Sequence, residues 1–153
     1  MHDIVANLCS FNNIYLIEKI KAKQMRIWWN MCALGACKSG NLETVKWAFS
    51  SGANDYNFSF YPACRSGSMD VINFLIDNGA DSWGDGLEGA CAGGHLEIAK
   101  MMLSKIVDQE VLNDTLGNAC SREHQHIVGW LIQSGATRCN SCKRSPIEHL
   151  DRY

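Results

Sequence analysis

An Ala-Cys doublet recurs at Ala36-Cys37, Ala63-Cys64, Ala90-Cys91 and Ala119-Cys120, with steps of 27, 27 and 29 residues, and Leu8-Cys9 stands 28 residues before the first. A period in this range is the signature of a repeat array, in which one unit cannot bury its apolar face alone and stacked neighbours bury a continuous core. The segments after each doublet align. Gly40, Leu42, Glu43, Val45 and Gly52-Ala53-Asn54 in one copy match Gly67, Met69, Asp70, Ile72 and Gly79-Ala80-Asp81 in the next. The third copy keeps Gly94-His95-Leu96-Glu97-Ile98, and the fourth keeps His124, Ile127, Val128, Leu131 and Gly135-Ala136.

Each unit reads as helix, turn, helix, stop. Gly40, Gly67 and Gly94 fall between two apolar patterns of helical period, where a residue with positive φ lets the chain reverse. In the second helix Val45, Ala48 and Phe49, or Ile72, Leu75 and Ile76, recur at three and four residues, so one stripe faces inward. The first helices are expected to start at Asp85, three residues before Glu88 in a capping-box spacing, and at Asp114, which stands five residues before its Ala as Asp85 does. Pro62 fits if Ser59 caps its helix and the proline stays in the first turn.

The aligned residues closely resemble the ankyrin repeat. Gly94-His95-Leu96-Glu97-Ile98-Ala99-Lys100 nearly copies the middle of that family's line, and Gly52-Ala53-Asn54 and Gly79-Ala80-Asp81 match its end. The resemblance implies an all-α helical solenoid and a non-catalytic scaffold that binds a partner protein. Its units would span 30–56, 57–83, 84–112 and 113–138, flanked by a degenerate cap repeat at 1–29 and a partial cap at 139–153, all in one domain.

Departures from the family line are informative. Gly52 to Phe60 and Gly79 to Leu87 are each eight residues apart, too few for the family's β-hairpin fingers, so these are expected to be shortened or absent. Ile106-Val107 replaces Gly-Ala and is followed by two extra residues, which predicts a longer, looser junction. Glu123 stands where a Gly is expected and predicts a strained turn.

Composition excludes several classes. Hydrophobic residues at 46%, charged residues at 20% and a net charge of −2 indicate neither disorder nor a nucleic-acid footprint. No apolar run reaches membrane-spanning length, and the N-terminus, with Asp3 in a short mixed stretch, does not read as a signal peptide. An intracellular monomer needing no cofactor is expected. Eight cysteines would ordinarily suggest a disulfide scaffold. Equivalent residues on stacked helices lie about 8–10 Å apart, however, beyond the roughly 7 Å that a disulfide tolerates. Cys9, Cys37, Cys64, Cys91 and Cys120 therefore read as reduced core thiols.

Three segments carry potential chemistry beside an ordinary structural reading. Cys139-Asn-Ser-Cys142 with His149 has the spacing of half a zinc site or a redox pair, and otherwise reads as a polar turn. His124-Gln-His126 reads as turn scaffolding, since His124 aligns with His95. The basic stretch from Lys19, ending at Trp28-Trp29, reads either as a surface for a membrane or an acidic partner or as a solvated helix with its tryptophans over the core.

In the resembled family the partner lies against the fingers and the first helices. With the fingers short, the candidates are Lys38, Tyr61, Arg65, Glu88, Asn118 and Arg122 on the first helices, and Tyr56, Trp83 and Asp85 in the connectors. Tyr56, Tyr61, Arg65 and Trp83 are the expected anchors, because Tyr, Trp and Arg dominate binding hot spots; Phe58 and Trp83 read equally as covers for repeat edges. Short Ala-Cys repeats are similar in style to those of large DNA viruses and protists, which implies a host protein as target. The alternatives are a metal or redox protein using Cys139 and Cys142, and a scaffold that associates with itself.

Overall fold

The computed structural model describes residues 26–106 and 108–137. The degenerate first unit up to Met25, with Cys9 and the basic stretch from Lys19, lies outside the described residues. So do Val107 and the C-terminal segment that holds Cys139, Cys142 and His149.

The described chain is entirely helical, with no strand among these residues. Its helices are α1 (Arg26–Ser39), α2 (Leu42–Ser51), α3 (Phe60–Ser66), α4 (Met69–Asp77), α5 (Trp83–Gly93), α6 (Leu96–Leu103), α7 (Gln109–Ser121) and α8 (Gln125–Gln133). Odd-numbered helices pack on the even-numbered helices that follow them. They also pack on each other in chain order, α1 on α3, α3 on α5 and α5 on α7. The result is four helix pairs with the first helices side by side in one layer.

The doublets sit at the centre of that layer. Ala36, Cys37, Ala63, Cys64, Ala90, Cys91 and Ala119 are buried, and the small side chains let one first helix approach the next. Around them Phe60, Val71, Ile72, Leu75, Leu87, Met102, Leu116, Ile127 and Leu131 fill one continuous core. Trp29 closes a second cluster with Cys32, Ala33, Ala48 and Ala53, and its ring meets Trp47 edge-on at 5.1 Å.

Packing between α3 and α5 is the most extensive helix contact. Glycine makes it possible. A Cβ on Gly89 would strike the carbonyl oxygen of Tyr61, and one on Gly93 would strike that of Arg65, while one on Gly86 would lie 2.7 Å from the Phe60 ring.

The turn glycines behave as the sequence predicts, with φ of 68°, 78° and 81° at Gly40, Gly67 and Gly94 and of 130°, 99° and 104° at Gly52, Gly79 and Gly135. In the fourth pair Glu123 takes the left-handed conformation with φ of 62°, a geometry that costs a residue with a Cβ about 1–2 kcal/mol. Ser59 is the N-cap residue of α3, and Pro62 lies in the first turn, where its missing N–H has no acceptor to lose.

Three expectations need correction. Helix α5 starts at Trp83 with Ser82 as N-cap, so Asp85 lies inside the first turn and forms no capping box with Glu88. Helix α7 starts at Gln109, where Asp108 caps it by accepting a 2.8 Å bond from the Glu110 N–H, so Asp114 is mid-helical. The two extra residues of this unit therefore lengthen α7 rather than the junction, which spans only residues 104–108.

Candidate functional site

The layer of first helices carries an open groove of about 780 Å³. Helix α1 contributes Leu34 and Lys38; α3 contributes Tyr61, Pro62, Arg65 and Ser66; and α5 contributes Asp85 and Glu88. The connector before α3 supplies Asn57 and Phe58. Five of the nine candidate residues, Lys38, Tyr61, Arg65, Asp85 and Glu88, thus line one surface.

The repeat explains why. Lys38 and Arg65 hold the same position, two residues after the Ala of their doublets, and Leu34, Tyr61 and Glu88 share the position two residues before it. A position on the outer face of one first helix recurs on the next, so stacking converts sequence periodicity into a surface across three helices. The charges segregate, with basic side chains on α1 and α3 and acidic ones on α5. None of the four is ion-paired with another described residue, the sole ion pair there being Lys100 with Glu97 at 2.8 Å.

The other four candidates lie elsewhere. Tyr56 stacks on Phe49 at 4.1 Å with ring planes 7° apart, and it packs against the core rather than opening to the groove. Trp83, the first residue of α5, meets Phe60 edge-on at 5.8 Å and covers the core. Both rings are held by apolar partners inside the stack, as edge covers would be. Asn118 is half-buried on α7, and Arg122, its C-cap residue, is exposed one helix beyond the groove. Phe58 is instead 47% exposed and lines the groove.

A column of asparagines escaped the sequence reading. Asn30, Asn57 and Asn113 each stand six residues before the Ala of a doublet. Asn57 Oδ1 accepts from the N–H groups of Asp81 (2.9 Å) and Ser82 (3.2 Å), and its Nδ2 donates to Asp81 Oδ1 (2.9 Å). Asn30 clasps Asn54 and Asp55 in the same way, and Asn113 accepts from the Thr137 N–H at 2.9 Å. Each side chain ties the start of a first helix to the segment 24 residues later, taking the place of a turn. The third unit has Gly84 at this position. The recurring Asn in the aligned copies was the signal.

A second set of bonds links neighbouring units. Ser68 donates to the Gly40 carbonyl at 3.3 Å, His95 Nε2 bonds the Arg65 carbonyl at 3.1 Å, and His124 Nε2 bonds the Ala92 carbonyl at 3.1 Å. His126 Nε2 reaches the Gly94 carbonyl at 3.3 Å. A carbonyl only accepts, so each of these nitrogens carries a proton. These histidines hold turns together.

Burial pushes the thiols of Cys37, Cys64 and Cys91 up to about 12. Smaller contributions come from Ser59, which interacts with the Cys37 thiol and pulls it down, and from Glu88, whose charge pushes the Cys91 thiol up further. These three and the half-buried Cys120 form no disulfide. Cys32, outside the doublet column, is disulfide-bonded.

Among the described residues no cluster of three His, Cys, Asp or Glu side chains could hold a metal ion, and no helix is long and apolar enough to cross a membrane. No protein-family model matches the chain, and no curated protein matches it.

Proposed function

We propose that the chain is a non-catalytic interaction module of ankyrin-repeat type, a finger-poor solenoid that binds a partner protein through the outer face of its first helices. The observation that carries this reading is the groove itself. It combines two aromatic rings with four unpaired charges on helices whose inner faces are fully engaged in the core. Side chains of this kind, presented on a rigid layer, are what binding hot spots use. The helix pairs and their positive-φ glycines support the ankyrin-type reading, from which the missing hairpins are a departure, and a protein of a host cell is the proposed partner.

A photo-crosslinking amino acid replacing Tyr61, compared with one replacing Asn73 on the exposed face of α4, tests the proposal. A discrete partner should be captured from position 61 and not from 73. Its affinity for the purified chain should fall at least about tenfold on Tyr61→Ala, as loss of a hot-spot aromatic does. Equal capture at both positions, or an affinity indifferent to Tyr61→Ala, would remove the groove from consideration.

A further inference from the structure

We infer that the groove takes a linear peptide in which an apolar side chain is flanked by an acidic residue on one side and a basic residue on the other. The acidic residue lies over Lys38 and Arg65, the apolar side chain on Phe58 and Tyr61, and the basic residue over Asp85 and Glu88. This rests on the interaction-module reading and specifies the partner's chemistry.

The first argument is positional. Lys38 and Arg65 share their repeat position with Ala92 and Ser121, so the stack does not require a cation there. Phe58 shares its position, five residues before the Ala, with Asp85 and Asp114, so the fold does not require an aromatic either. Basic, aromatic and acidic side chains therefore occur together at positions where other units manage without them.

The second is electrostatic. Opposite charges line one groove yet leave each other unpaired, with the cations on α1 and α3 and the anions on α5. A ligand of either single sign would be repelled at one end. A peptide with an acidic and a basic residue on either side of an apolar one satisfies both ends at once, and the charges set its register and the direction in which its chain runs.

The third concerns preorganisation. Phe58 is exposed by construction rather than by disorder. Its N–H donates to Asp55 Oδ1 at 2.8 Å, and the Asn57 side chain beside it is bonded to Asp81 and Ser82. The loop that presents the ring is fixed before a ligand arrives, so little ordering is left for binding to supply.

Selection of a displayed library of random short peptides on the full chain tests the inference. Parallel selections use the Lys38→Glu/Arg65→Glu and Asp85→Lys/Glu88→Lys double variants, with far-UV circular dichroism confirming the helical fold. The wild-type chain should enrich peptides in which an apolar residue lies between an acidic and a basic one. Each double variant should invert the preference at its own end, and an individual peptide should bind at least about tenfold more weakly to it. Peptides that lack the charge pair but are lost on Tyr61→Ala would overturn the inference and keep the groove as a binding site. Peptides indifferent to every groove variant would overturn both. If no peptide is enriched, the inference fails and the crosslinking experiment decides the module reading alone.

Discussion

Replacing Gly89 with alanine sets two effects of opposite sign against each other. In a helix interior alanine is favoured over glycine by about 1 kcal/mol, so the exchange on α5 should stabilise if nothing else changed. Something else must change. The new Cβ would strike the Tyr61 carbonyl oxygen, with the Tyr61 carbonyl carbon at 3.2 Å and the Arg65 nitrogen at 3.3 Å. These are backbone atoms of α3, so no side chain can turn aside, and the two helices must move apart along the most extensive helix contact among the described residues. Overpacking of a core by one methyl group costs roughly 1–3 kcal/mol, and here the displaced layer carries Phe60, Leu87, Ala90 and Cys91 with it. The net expectation is destabilisation by about 1 kcal/mol, the middle of a range of roughly 0–2, lowering the melting temperature by roughly 2–4 °C for a chain of this size. Gly129→Ala is the control, because α8 leaves that site with nothing within 4 Å of the added carbon. It should gain about 0.5–1 kcal/mol. Urea unfolding followed by circular dichroism reads both. A Gly89→Ala chain as stable as the Gly129→Ala chain would refute the close approach of α3 and α5.

Three further outcomes are expected. Glu123→Gly should stabilise the chain by about 1 kcal/mol and so raise its unfolding midpoint, since it removes the cost of a Cβ at φ of 62°; a lower midpoint would show that the side chain supports the turn. Asn57→Ala removes three hydrogen bonds from the second connector and should cost about 1–3 kcal/mol, with hydrogen exchange accelerated first at Asp81 and Ser82; unchanged protection there would mean that the clasp contributes nothing. The buried thiols predict alkaline instability. Their folded values of about 12 lie above the unfolded value, so the unfolded chain releases protons first as pH rises, and stability that is flat below about pH 8 should fall between roughly 9 and 12, by about 1 kcal/mol per pH unit for each thiol. Cys91→Ala should make that slope shallower, and an unchanged slope would contradict the assignment.

Periodicity made the helix pairs and their turns legible because the physics there is local: a glycine with positive φ, an apolar stripe, a proline in a first turn. It also put Lys38, Tyr61, Arg65, Glu88, Asn118 and Arg122 on first helices, of which the first four line the groove, whereas Asp85, expected in a connector, lies inside α5. The helix starts were less legible. Asp85 and Asp114 had the spacing of caps, but Ser82 and Asp108 begin their helices, and the Asn57 clasp that holds Ser82 acts between residues 25 apart, beyond the reach of any local rule. Tyr56 and Trp83 had the composition of anchors, and their fate depended on Phe49 and Phe60 standing within ring-stacking distance. Exposure of an aromatic side chain is settled by neighbours that sequence order does not bring together.

The glycines of α5 also limit how such an array can be rearranged. Gly86, Gly89 and Gly93 receive the Phe60 ring and the Tyr61 and Arg65 carbonyls of the preceding unit, and in that preceding unit the same positions hold Ser59, Pro62 and Ser66. A tandem duplication of residues 57–83 would set Pro62 of one copy against the Tyr61 carbonyl of the other, where only a hydrogen fits. The second and third units are thus a matched pair, and a joint built from two copies of the second could not keep the close spacing of α3 and α5.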